Sequence, residues 1–228
     1  MTTLNPKDNA PQWRTRLKTV RAQMSPADQS RGALLIRARL FTWLGNYRQK
    51  RLEKGQASGT LPAPLRIAAF WPMASEPDLR PLMTQWVLDH DLTVALPVVE
   101  AAGQPLSFRR WHPDAPMVKG AYDIDIPAAD EPVRPNVVLV PALGFTAQGD
   151  RLGYGAGFYD RTLSDLRRDG QSVVAIGIAW ADCEMDDTYA PAAHDQPLDA
   201  ILTEEGWTPG APGSAPGPKT SSLYSVRL

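Results

Sequence analysis

A chain of 228 residues with 43% hydrophobic and 21% charged side chains can bury the core of one soluble domain and is short for two. Its formal net charge of −1 excludes a global basic field that would draw in nucleic acid or an anionic membrane, so an anionic ligand needs a local site. The single cysteine, Cys183, excludes an internal disulfide framework and fits a reducing cytoplasmic setting; the opening residues lack a signal-peptide core, and no apolar run is long enough to span a bilayer.

Residues 1–11 are polar and contain proline, and are expected to fray. The spacing Trp13, Leu17, Val20, Met24 predicts a first helix. Ser25 reads as an N-cap, with Pro26 at the first helical position and Asp28 three residues after the cap. The second helix is expected to run to about Arg48, with Leu34, Leu35, Leu40, Phe41 and Leu44 as its apolar face, and residues 50–64 as a solvated loop. Residues 65–71 predict a buried strand, 72–78 a polar loop, 79–90 a helix, and 93–96 a strand stopped by Pro97. Residues 104–111 alternate like an antiparallel strand, and the proline- and acid-rich stretch 112–135 reads as loop. Further strands are expected at 137–140, 173–180 and 200–203, with a helix over 157–168.

Strands alternating with helices predict a single α/β domain over residues 12–207. Its open, mostly parallel sheet is sandwiched between helices, with a helical pair at the N-terminus. Residues 208–222 are low in complexity, and 1–11 and 208–228 are expected to be flexible tails.

The most informative stretch follows a predicted strand and opens a predicted helix. Gly149, Gly153, Gly155 and Gly157 fall close together, allowing positive φ and close approach of backbone N–H groups to an anion. The helix N-terminus adds partial positive charge. Arg151 supplies a forked donor for phosphate oxygens, and Asp160 an oxygen ligand for Mg²⁺. The spacing is neither a Walker A motif nor a dinucleotide-binding fingerprint, and on glycine spacing alone a tight strand-to-helix turn is an equal reading.

The whole string GDRLGYGAGFYDRTL, residues 149–163, is more specific: it resembles the signature of the 5-formyltetrahydrofolate cyclo-ligase family. The segments FWPMASEPDLRPLM (70–83), LPVVEAAGQPLSFRRW (96–111) and APAAHDQPLDAILTE (190–204) are similar to others of that family, in its order, and the resemblance covers about residues 13–205. It implies a compact α/β fold and ATP-dependent conversion of 5-formyltetrahydrofolate, polyglutamylated or not, to 5,10-methenyltetrahydrofolate. By motif position, ATP falls to Arg14, Gly149, Arg151, Leu152, Gly153, Tyr154, Gly155, Ala156, Gly157, Phe158 and Tyr159. Asp160 falls to Mg²⁺, Trp71 and Glu76 to the folate, and Arg151 and Asp160 to catalysis. Where the family carries a lysine, a glutamate and a glutamine, this chain has Ala10, Ile126 and Cys183; Lys7 and Lys18 are candidates to replace the lysine.

His194 and Asp195 are read as a structural turn near the folate site, His90 and His112 as ordinary surface or loop residues, and Glu184, Asp186 and Asp187 as a solvated acidic run. A cytoplasmic monomer is expected. Two alternatives stay open: a related ATP-dependent enzyme acting on another substrate, and a non-catalytic folate- or nucleotide-binding module.

Overall fold

The computed structural model describes residues 9–213 apart from 91, 169 and 187. The expectations for Lys7 and Asp187, for residues 1–8 and for residues 214–228 lie outside the described residues.

Two helices open the chain. Helix α1 (Ala10–Gln23) begins slightly earlier than the apolar spacing predicts, because Pro11 suits a first turn. The cap of α2 (Pro26–Ser58) is as read: Ser25 Oγ accepts the Asp28 N–H at 3.1 Å. The helix does not stop at Arg48. The charged run Gln49–Lys54 has high helical propensity and carries it to Gly59, which caps it in the left-handed conformation. Its buried face matches the expected one at Leu40 and Leu44 and differs elsewhere. Ala33, Ile36, Leu40, Trp43 and Leu44 face the sheet, whereas Leu34, Leu35 and Phe41 are exposed. The expected stripe was displaced by part of a turn, and packing selects the inner one.

The main sheet has seven strands, ordered β12-β11-β9-β6-β1-β2-β3. Strands β1 (Arg66–Ala68), β2 (Thr93–Val98), β6 (Val137–Pro141), β9 (Val174–Ile178) and β11 (Ala200–Leu202) run parallel. The edges β3 (Ser107–Trp111) and β12 (Trp207–Thr208) are antiparallel. Pro97 does not end β2 but lies within it, opposite Phe108. Pairing with β1 stops at Ala95, so Pro97 sits where the strand has a neighbour on one side only and its missing N–H can be tolerated.

The parallel strands are buried on both faces. Ile67, Val94, Leu139 and Ile176 point into a core shared with α1, α2 and α3 (Arg80–Leu88), while Ala68, Val138, Val140 and Ala175 meet Leu163 and Leu166 of α4 (Phe158–Arg167). The expected mostly parallel α/β sandwich with an N-terminal helical pair is therefore what forms.

Short elements escape sequence reading. The stretch 112–135 contains a hairpin, β4 (Met117–Lys119) with β5 (Asp125–Pro127). A second small sheet joins β7 (Gly144–Thr146), β8 (Arg151–Leu152) and β10 (Glu184–Met185). Residues 208–213 are not a loose tail: the Trp43 indole donates to the Pro212 carbonyl at 3.0 Å, and Lys50 Nζ to the Gly213 carbonyl at 2.9 Å.

Chain order reverses between β1 and β6: β1 leads outward to β2 and β3, and β6 leads the other way to β9, β11 and β12. In open α/β sheets such a switch point leaves a crevice at the carboxyl ends of the strands. Phe70 and Trp71 leave β1 there, and Pro141 ends β6 there.

Candidate active site

A cavity of about 420 Å³ opens at this switch point. Every residue from Arg151 to Asp160 lines it, and so do Arg14, Trp71 and Glu76. Gly149 does not. It takes φ +93° in the turn between β7 and β8, where its N–H donates to the Thr146 carbonyl at 2.9 Å.

The glycine-rich segment is held in shape by the residues around it. Gly155 and Gly157 have φ of +102° and +66°, conformations that side chains rarely adopt. A Cβ on Gly155 would lie 3.2 Å from the Arg14 guanidinium, and one on Gly153 would lie 2.6 Å from Arg151 Nη1. Arg14 projects from α1 and donates from Nε to the Gly153 carbonyl at 2.9 Å. This contact fixes the guanidinium at the cavity wall. The Ala10 position opens α1 one turn before Arg14; Lys18 is exposed and not part of the cavity lining.

Arg151 and Asp160 form a nearly buried pair, with side chains 8% and 12% exposed. Arg151 Nη2 donates to both Asp160 oxygens at 3.0 and 2.9 Å, and the Gln196 N–H adds a third bond at 3.2 Å. Asp160 therefore does not pair with its neighbour Arg161, whose Nη2 donates instead to the Ala156 carbonyl at 2.7 Å. Among the described residues no cluster of three or more His, Cys, Asp or Glu side chains could hold a metal. Asp160 is thus a single carboxylate at the cavity, with both oxygens already accepting hydrogen bonds.

On the opposite wall, loop 72–78 carries Glu76, which is only 8% exposed. Glu76 closes its own loop: its N–H donates to the Met73 carbonyl at 3.0 Å, and its Oε2 accepts the Met73 N–H at 2.9 Å. Ser75 is forced to φ +66°, and its carbonyl accepts the buried Trp180 indole N–H at 2.7 Å. Burial pushes the Glu76 carboxyl above the usual range, against the hydrogen bond from Tyr154. Tyr154 Oη donates to Glu76 Oε1 at 2.7 Å, so the glycine-rich segment touches the opposite wall directly. Burial also pushes the Tyr159 hydroxyl well up and that of Tyr189 up to about 12, keeping both neutral donors.

Trp71 is not a bare surface. The Arg80 guanidinium lies 5.3 Å from its ring, and Arg80 is held by both oxygens of Asp78 at 2.8 and 2.9 Å. Sequence reading passed over Arg80, although its place two residues after Asp78 was a signal for such a fork. It also passed over Arg21, which is 2% exposed and reaches Tyr154 from α1.

The remaining candidates settle simply. His194 is 81% exposed, and Asp195 Oδ2 accepts the Ala192 N–H at 2.8 Å, which is a turn at the cavity mouth. His112 serves its own loop, accepting the Asp114 N–H at 3.2 Å. Ile126 lines the cavity and Cys183 is fully buried.

Known proteins resemble this chain along nearly all its length. The family model for the 5-formyltetrahydrofolate cyclo-ligase family matches residues 6–204. A 5-formyltetrahydrofolate cyclo-ligase from Mycolicibacterium smegmatis is 31% identical over 191 residues, 79% of this chain and 95% of the relative. One from Escherichia coli K12 is 33% identical over 145 residues, 60% of this chain and 76% of the relative. The NMR structure of an Aquifex aeolicus 5,10-methenyltetrahydrofolate synthetase superposes with TM-score 0.68 at 22% identity, covering 96% of this chain and all (100%) of that one. A Mycoplasma pneumoniae 5,10-methenyltetrahydrofolate synthetase gives TM-score 0.64 at 20% identity, covering 86% and 99%.

Proposed function

The chain belongs to the 5-formyltetrahydrofolate cyclo-ligase family, and on that premise we propose that its cavity converts 5-formyltetrahydrofolate to 5,10-methenyltetrahydrofolate at the expense of ATP. The observation that carries the reading is the meeting of two walls at one switch point. A glycine-rich anion cradle faces an apolar and carboxylate-bearing wall across a space that both ligands would share.

A formamide oxygen is a poor leaving group, and phosphorylation makes it a good one. The formyl oxygen attacks the γ-phosphate, ADP leaves, and an imino-phosphate forms. N10 of the folate then adds to the formyl carbon and gives up its proton, and phosphate departs as the ring closes. The protein has to position and neutralise charge rather than supply a nucleophile. Arg14 and residues 152–157 line the phosphate side, and Arg151 adds a charge already partly offset by Asp160. Asp160 would hold Mg²⁺, which when bound neutralises the charge developing on the phosphate oxygens. Glu76 accepts from the N–H donors of the pterin, and Trp71 gives its ring an apolar surface stiffened by Arg80.

The site is assembled within one chain, and no helix among the described residues is long and apolar enough to cross a membrane. We read the protein as a monomeric cytoplasmic enzyme whose partners are its small-molecule substrates. The test is direct: protein, MgATP and 5-formyltetrahydrofolate are mixed and methenyltetrahydrofolate absorbance is followed. Product that requires ATP supports the reading. Folate binding without turnover would replace it with a binding module, and neither would remove it.

A further inference from the structure

Helix α1 grips the glycine-rich segment at two places. Arg14 reaches Gly153, and Arg21, two turns later on the same face, reaches Tyr154. Arg21 is 2% exposed. Its Nη1 donates to Tyr154 Oη at 2.9 Å, its Nη2 donates to the Ala142 carbonyl, and its Nε has no protein partner among the described residues. A hydroxyl has one proton to give. Since Tyr154 accepts from Arg21, its own proton points to Glu76 Oε1, 2.7 Å away. The order of donation is therefore fixed from a buried cation, through a hydroxyl, to a carboxylate in the cavity wall.

We propose that Arg21 is a positioning residue for the folate side of the site: acting through the Tyr154 hydroxyl, it keeps Glu76 an ionised, acceptor-only carboxylate. The proposal rests on the folate reading of the cavity. The physical need is plain. A carboxylate this deeply buried tends to take up a proton, and a protonated carboxyl would offer a donor where the pterin ring also presents donors. Among the described residues three groups face Glu76 besides the loop backbone: Tyr154, Tyr159 and, beyond Tyr154, Arg21. Burial and the charge of Glu76 push both tyrosines up, so they remain neutral. The Cys183 thiol beside Arg21 is pushed up by burial and stays neutral as well. Arg21 is thus the one charge in this group that favours ionised Glu76.

The experiment measures kcat, and KM for each substrate, from about pH 6 to about pH 9 in wild type, Arg21→Met, Arg21→Lys and Tyr154→Phe, each checked for cooperative unfolding. At neutral pH Arg21→Met is expected to raise the folate KM by about 10–100-fold, the scale of a lost charge-assisted hydrogen bond. The ATP KM should change far less. The folate defect should shrink as pH rises and Glu76 ionises without help, and Arg21→Lys should recover part of it. If Arg21→Met does not fold, Tyr154→Phe, which removes one oxygen from a half-exposed ring, decides by the same pattern. A folded variant whose folate defect is independent of pH, or shared equally with ATP, overturns the positioning role while leaving the activity intact. A wild type that makes no methenyl product at any pH overturns the activity itself, and this role with it.

Discussion

Asp160→Asn asks whether Asp160 serves the fold, the metal or both. The substitution keeps the shape and leaves one amide oxygen for Arg151 and the Gln196 N–H, but it removes the charge from a pair whose side chains are 8% and 12% exposed. Hydrogen bonds to charged groups are worth about 1.5–3 kcal/mol, and breaking a buried pair outright costs about 3–5 kcal/mol. Since the asparagine still accepts, the lower range applies. For a domain of this size each kcal/mol moves Tm by about 2–4 °C, so the apo protein should melt about 3–12 °C lower. If Asp160 also holds Mg²⁺, the variant should need more Mg²⁺ for half-maximal activity, and excess chelator should abolish turnover in both proteins. Calorimetry without nucleotide and a Mg²⁺ titration of the methenyl assay read these effects separately. An unchanged apo Tm would refute the energetic weight placed on the ion pair. A normal kcat with an unchanged Mg²⁺ requirement would refute the metal assignment. Arg151→Ala is the harsher change, because it strands Asp160 without its cation; it should unfold at a still lower temperature and so confuse the two effects.

Glu76 has a raised pKa, so the native state binds its proton more tightly than the unfolded chain does. Stability from this group therefore falls as pH rises from the ordinary carboxyl value of 4.5 through the raised one. The Tm difference between wild type and Glu76→Gln should move in favour of wild type as pH is lowered from about 8 to about 5; a flat difference would count against a strained, buried carboxylate. Gly155→Ala places a Cβ at φ +102°, 3.2 Å from the Arg14 guanidinium, and should cost about 1–3 kcal/mol. It should raise the ATP KM more than the folate KM, and an unaltered ATP KM would remove this glycine from the phosphate cradle. Truncation after Glu205, which deletes β12 and the Pro212 contact with Trp43, should lower Tm by several degrees relative to truncation after Gly213; equal melting would show that this strand and contact add nothing.

What sequence could and could not reveal follows from the length scale of each signal. The strands at 137–141 and 174–178 are continuous apolar runs buried on both faces, as the interior of a parallel sheet asks. The glycine-rich segment was legible because positive φ and close approach restrict the residue type itself. The short strands β1 and β11 showed themselves through apolar runs, whereas β4, β5, β7, β8, β10 and β12 have two or three residues and no such run, so they became visible only with their partners. The face of α2 was misjudged for another reason. Leu34, Leu35 and Phe41 are as apolar as Ile36 and Trp43, and a helix with two adjacent apolar stripes does not say which one the sheet will cover.

Arg21 fails to show itself for the opposite reason. Composition marks it as surface, since arginine is almost never fully buried without a partner. Its phase says otherwise: Trp13, Leu17 and Arg21 follow one another at four-residue intervals, and all three are buried. A charged residue in register with a buried stripe must find partners inside, and on α1 the interior within reach is the backbone after β6 and the glycine-rich segment. The same logic applies to Glu76, whose loop hydrogen bonds leave its second oxygen no donor but Tyr154 among the described residues. Two buried charges of opposite sign, each satisfied by the same hydroxyl rather than by each other, are an inefficient way to stabilise a fold. They are a sound way to hold one carboxylate lone pair ready for a ligand's N–H, which is why the pair belongs with the chemistry of the cavity and not with its scaffold.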